Sequence, residues 1–67
     1  MDKIELLKRL EEMLKQYIED EEVAEKLIKD IEPFRIKYIL GELDRNKTKD
    51  YSSEDKEVIK DIYFYYC

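Results

Sequence analysis

The chain has no histidine, no tryptophan, one cysteine (Cys67), one glycine (Gly41) and one proline (Pro33). Each scarcity removes a class of chemistry. Without histidine there is no side chain whose ordinary pKa lies near neutrality, no imidazole metal ligand and no histidine-based triad. A single cysteine allows no internal disulfide and no thiolate zinc cluster, and reads as a free thiol in a reducing compartment. One glycine is too few for the glycine-rich loops that cradle phosphates or for a dinucleotide fingerprint. No run approaches the ~20 apolar residues needed to cross a bilayer. Asp2 and Glu5 near the start, with no small-residue cleavage site, read against a secretory leader. The expectation is a cytoplasmic, non-enzymatic protein with no cofactor, no metal and no membrane partner.

What is present points to a folded domain. In 67 residues, 43% are hydrophobic and 46% charged, too apolar for disorder and too charged for a membrane. One domain is expected, burying only about 60% of the surface its unfolded chain exposes, with a correspondingly thin stability margin. The net charge of −5 is uneven. Residues 1–32 carry eleven acids and six bases, residues 33–50 five bases and three acids, and residues 51–67 four acids and two bases. An acidic body disfavours non-specific nucleic-acid binding, which depends on neutralising phosphates.

Four helical segments are readable. The first runs from about Asp2 to Ile18, with Asp2 as cap. Leu6, Leu10, Met13 and Tyr17, flanked by Leu7, Leu14 and Ile18, cover half its circumference. Glu5, Lys8, Arg9, Glu12 and Lys15 take the other half, with Glu5–Arg9, Lys8–Glu12 and Glu11–Lys15 spaced to pair. The second runs from Glu21 to Ile31 behind Asp20, with carboxylates opposing the positive end of the helix dipole. The third starts at Pro33 and ends near Arg45 or Asn46, on a stripe of Ile36, Ile39, Leu40 and Leu43. Alternation of Phe34, Ile36, Tyr38 and Leu40 gives a rival strand reading, which Ile39 breaks. After a polar loop, Ser52 or Ser53 caps the fourth, whose inward face is Val58, Ile59, Ile62, Tyr63 and Tyr66. The expected fold is all-α, a compact bundle of three to four short helices with short polar loops.

Two motifs need weighing. Asp44, Asn46, Thr48, Asp50, Ser52 and Asp55 fall at calcium-loop spacing, and the segment resembles an EF-hand loop over about twelve residues. Lys49 stands where that loop needs glycine, and Arg45, Lys47 and Lys49 add positive charge, so an ordinary interhelical turn is expected. Arg35, Lys37, Arg45, Lys47 and Lys49 could contact phosphates, which makes a small nucleic-acid-binding regulator the alternative function. On a helix, however, Arg35 shares its side with Glu42 and Lys37 with Asp44, so no unbroken basic stripe results.

Two surfaces look fit for a partner. Glu19, Asp20, Glu21 and Glu22 are the densest acidic run, which as a rule is a solvated helix start. Phe34 and Tyr38 flank Gly41 away from the main stripe of the third helix, and Phe64 falls outside the inner arc of the fourth, in a tail of four successive rings. Either the third helix is central and covered on both sides, or some rings form an interface. The leading expectation is protein–protein interaction. The chain acts as accessory subunit, adaptor or inhibitor, and its partner is another protein or a copy of itself, contacted through Phe34, Tyr38, Phe64 and the acids at 19–22.

Overall fold

The structure, a computed structural model, describes residues 2–67. Helix α1 spans Lys3–Tyr17, α2 Glu21–Lys29, α3 Ile36–Asn46 and α4 Ser53–Tyr66. A single 3-10 turn, Pro33–Arg35, leads into α3. Proline suits that first turn because its missing N–H would be unpaired there anyway. The strand alternative for residues 34–40 is therefore not adopted. One isolated antiparallel bridge, Ile18 with Lys47, is the extent of sheet pairing among the described residues.

Three helix starts are fixed by side chains, as the sequence indicates. Asp2 accepts a hydrogen bond from the Glu5 N–H at 2.9 Å. Asp20 accepts from Glu22 and Val23 at 3.0 and 3.4 Å. Ser52 accepts from Asp55 at 3.1 Å. Each cap satisfies donors that have no partner inside the helix and contributes about 1 kcal/mol.

The central helix is α1, not α3. Its Leu6, Leu10, Met13, Leu14 and Tyr17 are fully buried, and α2, α3 and α4 all pack on it. The helix with the widest apolar arc takes the middle because it alone can face several neighbours. Ala24 and Leu27 of α2, Ile36, Ile39, Leu40 and Leu43 of α3, and Val58 and Ile62 of α4 complete the core. Because α3 contributes one stripe only, its other side, with Tyr38, and Phe34 on the turn before it stay uncovered. Two further expectations are corrected. Helix α2 stops at Lys29 rather than Ile31, and Ile31 packs half-buried from the following turn. Tyr63 faces outward, about 100° round α4 from Ile62, while Ile59 and Tyr66 are half-buried against the core.

Candidate functional surfaces

The most heavily partnered polar group is one that the sequence marks only as the last residue of the calcium-loop spacing. Asp55 is 4% exposed, the only buried charged residue among those described. Its Oδ1 accepts from Arg9 Nη2 at 2.9 Å, and its Oδ2 accepts from the Tyr17 hydroxyl. That hydroxyl in turn accepts from the Ser52 N–H at 3.1 Å. Arg9 also reaches Glu12 at 3.4 Å and Glu54 at 3.9 Å. It thus pairs across to α4 rather than with Glu5 along its own helix. One carboxylate, one guanidinium and one phenol therefore join α1 to the start of α4. Tyr17 is anchored again through its backbone, where its carbonyl accepts from the Thr48 N–H at 2.9 Å and the Thr48 hydroxyl at 3.2 Å. A buried carboxylate is tolerated because its oxygens are paired. The only signal in sequence was weak: Tyr17 and Arg9 are two turns apart on one helix, with Tyr17 carrying a polar tip into the core.

This junction also dismantles the calcium-loop resemblance. Asp55 is held by Arg9 and Tyr17, Thr48 by the Tyr17 carbonyl, and Asn46 bonds back to the Glu42 carbonyl at 2.8 Å. Asp44 lies on α3 beside Lys47 at 3.3 Å. No cluster of three or more potential metal-ligating carboxylate or thiol residues occurs among the described residues.

Tyr51 stacks edge-on against Tyr17 at 5.1 Å between ring centres, with the Lys47 ammonium 4.4 Å from its ring centre. Partial burial, and then the negative charge of Asp44, push its phenol up to about 12. The phenol therefore stays protonated at neutral pH.

The basic residues proposed for phosphates are mostly engaged within the chain. Arg35 lies 3.8 Å from Asp30 and over the Tyr38 ring at 5.0 Å. Arg45 pairs with Glu42 at 3.5 Å, Lys47 with Asp44, and Lys49 sits over the Tyr17 ring at 5.4 Å. Lys37 makes no ion pair among the described residues.

The acids at 19–22 behave differently. Glu19, Asp20, Glu21 and Glu22 are exposed and, with Glu25, form no ion pair among the described residues. Asp20 is occupied as the α2 cap. Glu21 and Glu25 border a shallow groove of about 290 Å³ between α1 and α2, whose floor is Ile18 and Ala24.

The rings fall into two places. Phe34 is 97% exposed on the 3-10 turn, and Tyr38 is half-exposed one turn later on α3. Phe64 is 81% exposed on α4, edge-on to Tyr65 at 5.2 Å. Tyr66 is tied down instead, donating to the Lys3 carbonyl at 3.2 Å. Ring contacts join Phe64 to Tyr65, and none joins it to Phe34 or Tyr38. A groove of about 300 Å³ separates α3 from α4, lined by Leu40, Gly41, Asp44, Tyr51, Ile59 and Tyr63. Glu21 and Glu22 open α2 and Glu19 and Asp20 lie in the link before it, whereas the rings lie on the 3-10 turn, α3 and α4. The sequence-derived candidates thus lie on different elements, and no ring contact joins Phe64 to Phe34 or Tyr38. No helix among the described residues is long and apolar enough to cross a membrane. No protein family, curated protein or solved structure matches this chain.

Proposed function

We propose that the protein works by contact with another protein, or with a copy of itself, as an accessory subunit, adaptor or inhibitor, without turning over a substrate. One observation carries this reading. Six large apolar side chains stay at the surface of a very small domain: Ile4, Phe34, Tyr38, Tyr63, Phe64 and Tyr65. Placing a phenylalanine outside forgoes about 1.5–3 kcal/mol of burial that a domain this size has little means to replace. Aromatic residues are enriched in interface cores, and a surface that keeps them in pairs is more than the scatter of single apolar residues normal to any protein. The unpaired acids at 19–25 add a second, negatively charged face suited to a basic partner.

The test is a double substitution, Phe34→Ala with Tyr38→Ala. Both side chains project from the core, so circular dichroism and the urea midpoint are expected to stay unchanged, within about 0.5 kcal/mol. Self-association or capture of the native partner is expected to drop. Unfolding of the double variant would show that the rings belong to the core and would remove the proposal.

A further inference from the structure

We propose that the outer face of α3 is covered by a second copy of this chain, the two α3 helices crossing antiparallel at Gly41. This rests on the contact reading above and names the occupant of one of its surfaces.

Gly41 is the starting point. It sits in the middle of α3, exposed, with no positive φ. A Cβ added there would meet nothing within 4 Å. Neither the backbone conformation nor the packing of the protomer therefore calls for glycine. In a helix interior it costs about 1 kcal/mol relative to alanine. What a bare Cα does offer is close approach by a body from outside.

The residues around Gly41 are self-complementary. At about 100° and 1.5 Å per residue, Lys37 and Asp44 lie some 40–60° to one side of Gly41, and Tyr38 and Arg45 a similar angle to the other. A two-fold axis across the helix at Gly41 lays each side on itself in reverse. Lys37 then meets the partner's Asp44, and Tyr38 meets the partner's Arg45, each pair within about 1.5 Å of the same level. The first is an ammonium against a carboxylate, and the second a guanidinium against a phenol ring. Symmetry makes each pairing twice.

The groups are free to do this. Lys37 is exposed and Tyr38 half-exposed, while the Asp44 and Arg45 side chains are 68% and 77% exposed. In the chain Arg45 pairs with Glu42, and Asp44 with Lys47 and the Tyr51 phenol; these are partly exposed contacts, the ion pairs worth about 0–1 kcal/mol, that a partner's charge can supplement. The groove beside Gly41 gives the aliphatic stem of the partner's Lys37 an apolar bed of Tyr51, Ile59 and Tyr63 on its way to Asp44. Antiparallel crossing also opposes the two helix dipoles favourably, which a parallel one does not.

Sedimentation equilibrium of the full chain at low salt, from about 10 µM to about 1 mM, is the test. The mass is expected to rise from one chain toward two with concentration. Gly41→Glu is expected to weaken association at least about tenfold while the monomer's melting temperature holds or rises, since the new side chain enters open space. Asp44→Lys is expected to weaken it similarly, and the swap K37D/D44K to restore it. A parallel dimer would not be restored by that swap, because Lys at 44 would then face Arg45. A monomer throughout, a dimer indifferent to Gly41→Glu, or a swap that fails to restore each overturns the proposal. A wild-type chain that stays monomeric yet loses a different captured protein on Phe34→Ala with Tyr38→Ala overturns this inference and leaves the contact reading standing.

Discussion

The α1–α4 junction and the outer face of α3 use the same kinds of residue to opposite ends. Each holds a tyrosine, an aspartate and an arginine. At the junction, Tyr17, Asp55 and Arg9 are bonded to one another, and the aspartate has almost no contact with water. On α3, Tyr38 is half-exposed under Arg35, and the exposed Asp44 and Arg45 have ion-pair partners only three residues away. Residue type therefore does not say whether a polar group holds the fold together or is left over for something else. The difference is long-range closure. The junction joins residues 46 and 38 positions apart, so it exists only when the bundle does. The α3 pairs are three residues apart and would form on an isolated helix.

Breaking the junction should give the largest effect. Asp55→Ala leaves the Arg9 guanidinium and the Tyr17 hydroxyl without their carboxylate, at a cost of about 3 kcal/mol. Small domains have only about 0.05–0.15 kcal/mol of stability per residue, so this variant should be largely unfolded by urea titration at low denaturant. Tyr17→Phe is the sharper test, because the ring stays and only the hydroxyl leaves. It strands the Ser52 N–H and one Asp55 oxygen, and about 1–2 kcal/mol should be lost in the same measurement. On the other side of the comparison, Gly41→Ala should raise stability by about 0.5–1 kcal/mol, seen as a higher melting temperature at low concentration. A fall instead would mean that α3 is crowded within its own protomer.

The smallest effect concerns Tyr51, which lies between the two regions. Its folded-state pKa is raised from 10 to about 12, so folding favours the protonated phenol. The resulting stability is fully present below pH 10 and is lost as pH rises through about 12. Tyr51→Phe should flatten that alkaline decline in melting temperature. An identical decline in wild type and variant would assign it to other groups. Because Tyr51 is only half-buried, solvent screening keeps the effect modest.

Much of the fold was legible from local signals. The caps at Asp2, Asp20 and Ser52, the stop before Pro33 and the stripes of α1 and α3 are all short-range devices, readable one turn at a time. Legibility ended where two helices had to be placed against each other. Asp55 reads in sequence as the last position of a calcium-loop spacing at a helix start, and nothing local says that Arg9 and Tyr17 will arrive beside it. Tyr63 fits an inward arc on a helical wheel, yet α3 sits too far round to cover it, and a groove remains. For Phe34, Tyr38 and Phe64 the sequence left two readings open, rings covered by a central third helix or rings at the surface, and packing around α1 left all three outside the core. How the 3-10 turn and α3 that carry Phe34 and Tyr38, the α4 that carries Phe64 and the start of α2 that carries the acids sit against one another could not be read from spacing along the chain.

Periodicity of apolar side chains, capping residues and the scarcity of glycine and proline were enough to dictate four short helices, because those effects act within a turn or two. Which helix lies at the centre, which carboxylate leaves water and which rings stay outside were settled only by tertiary packing. The reason is geometric: a helical wheel says which sides of each rod are greasy, but a limited number of neighbours decides which of those sides is covered.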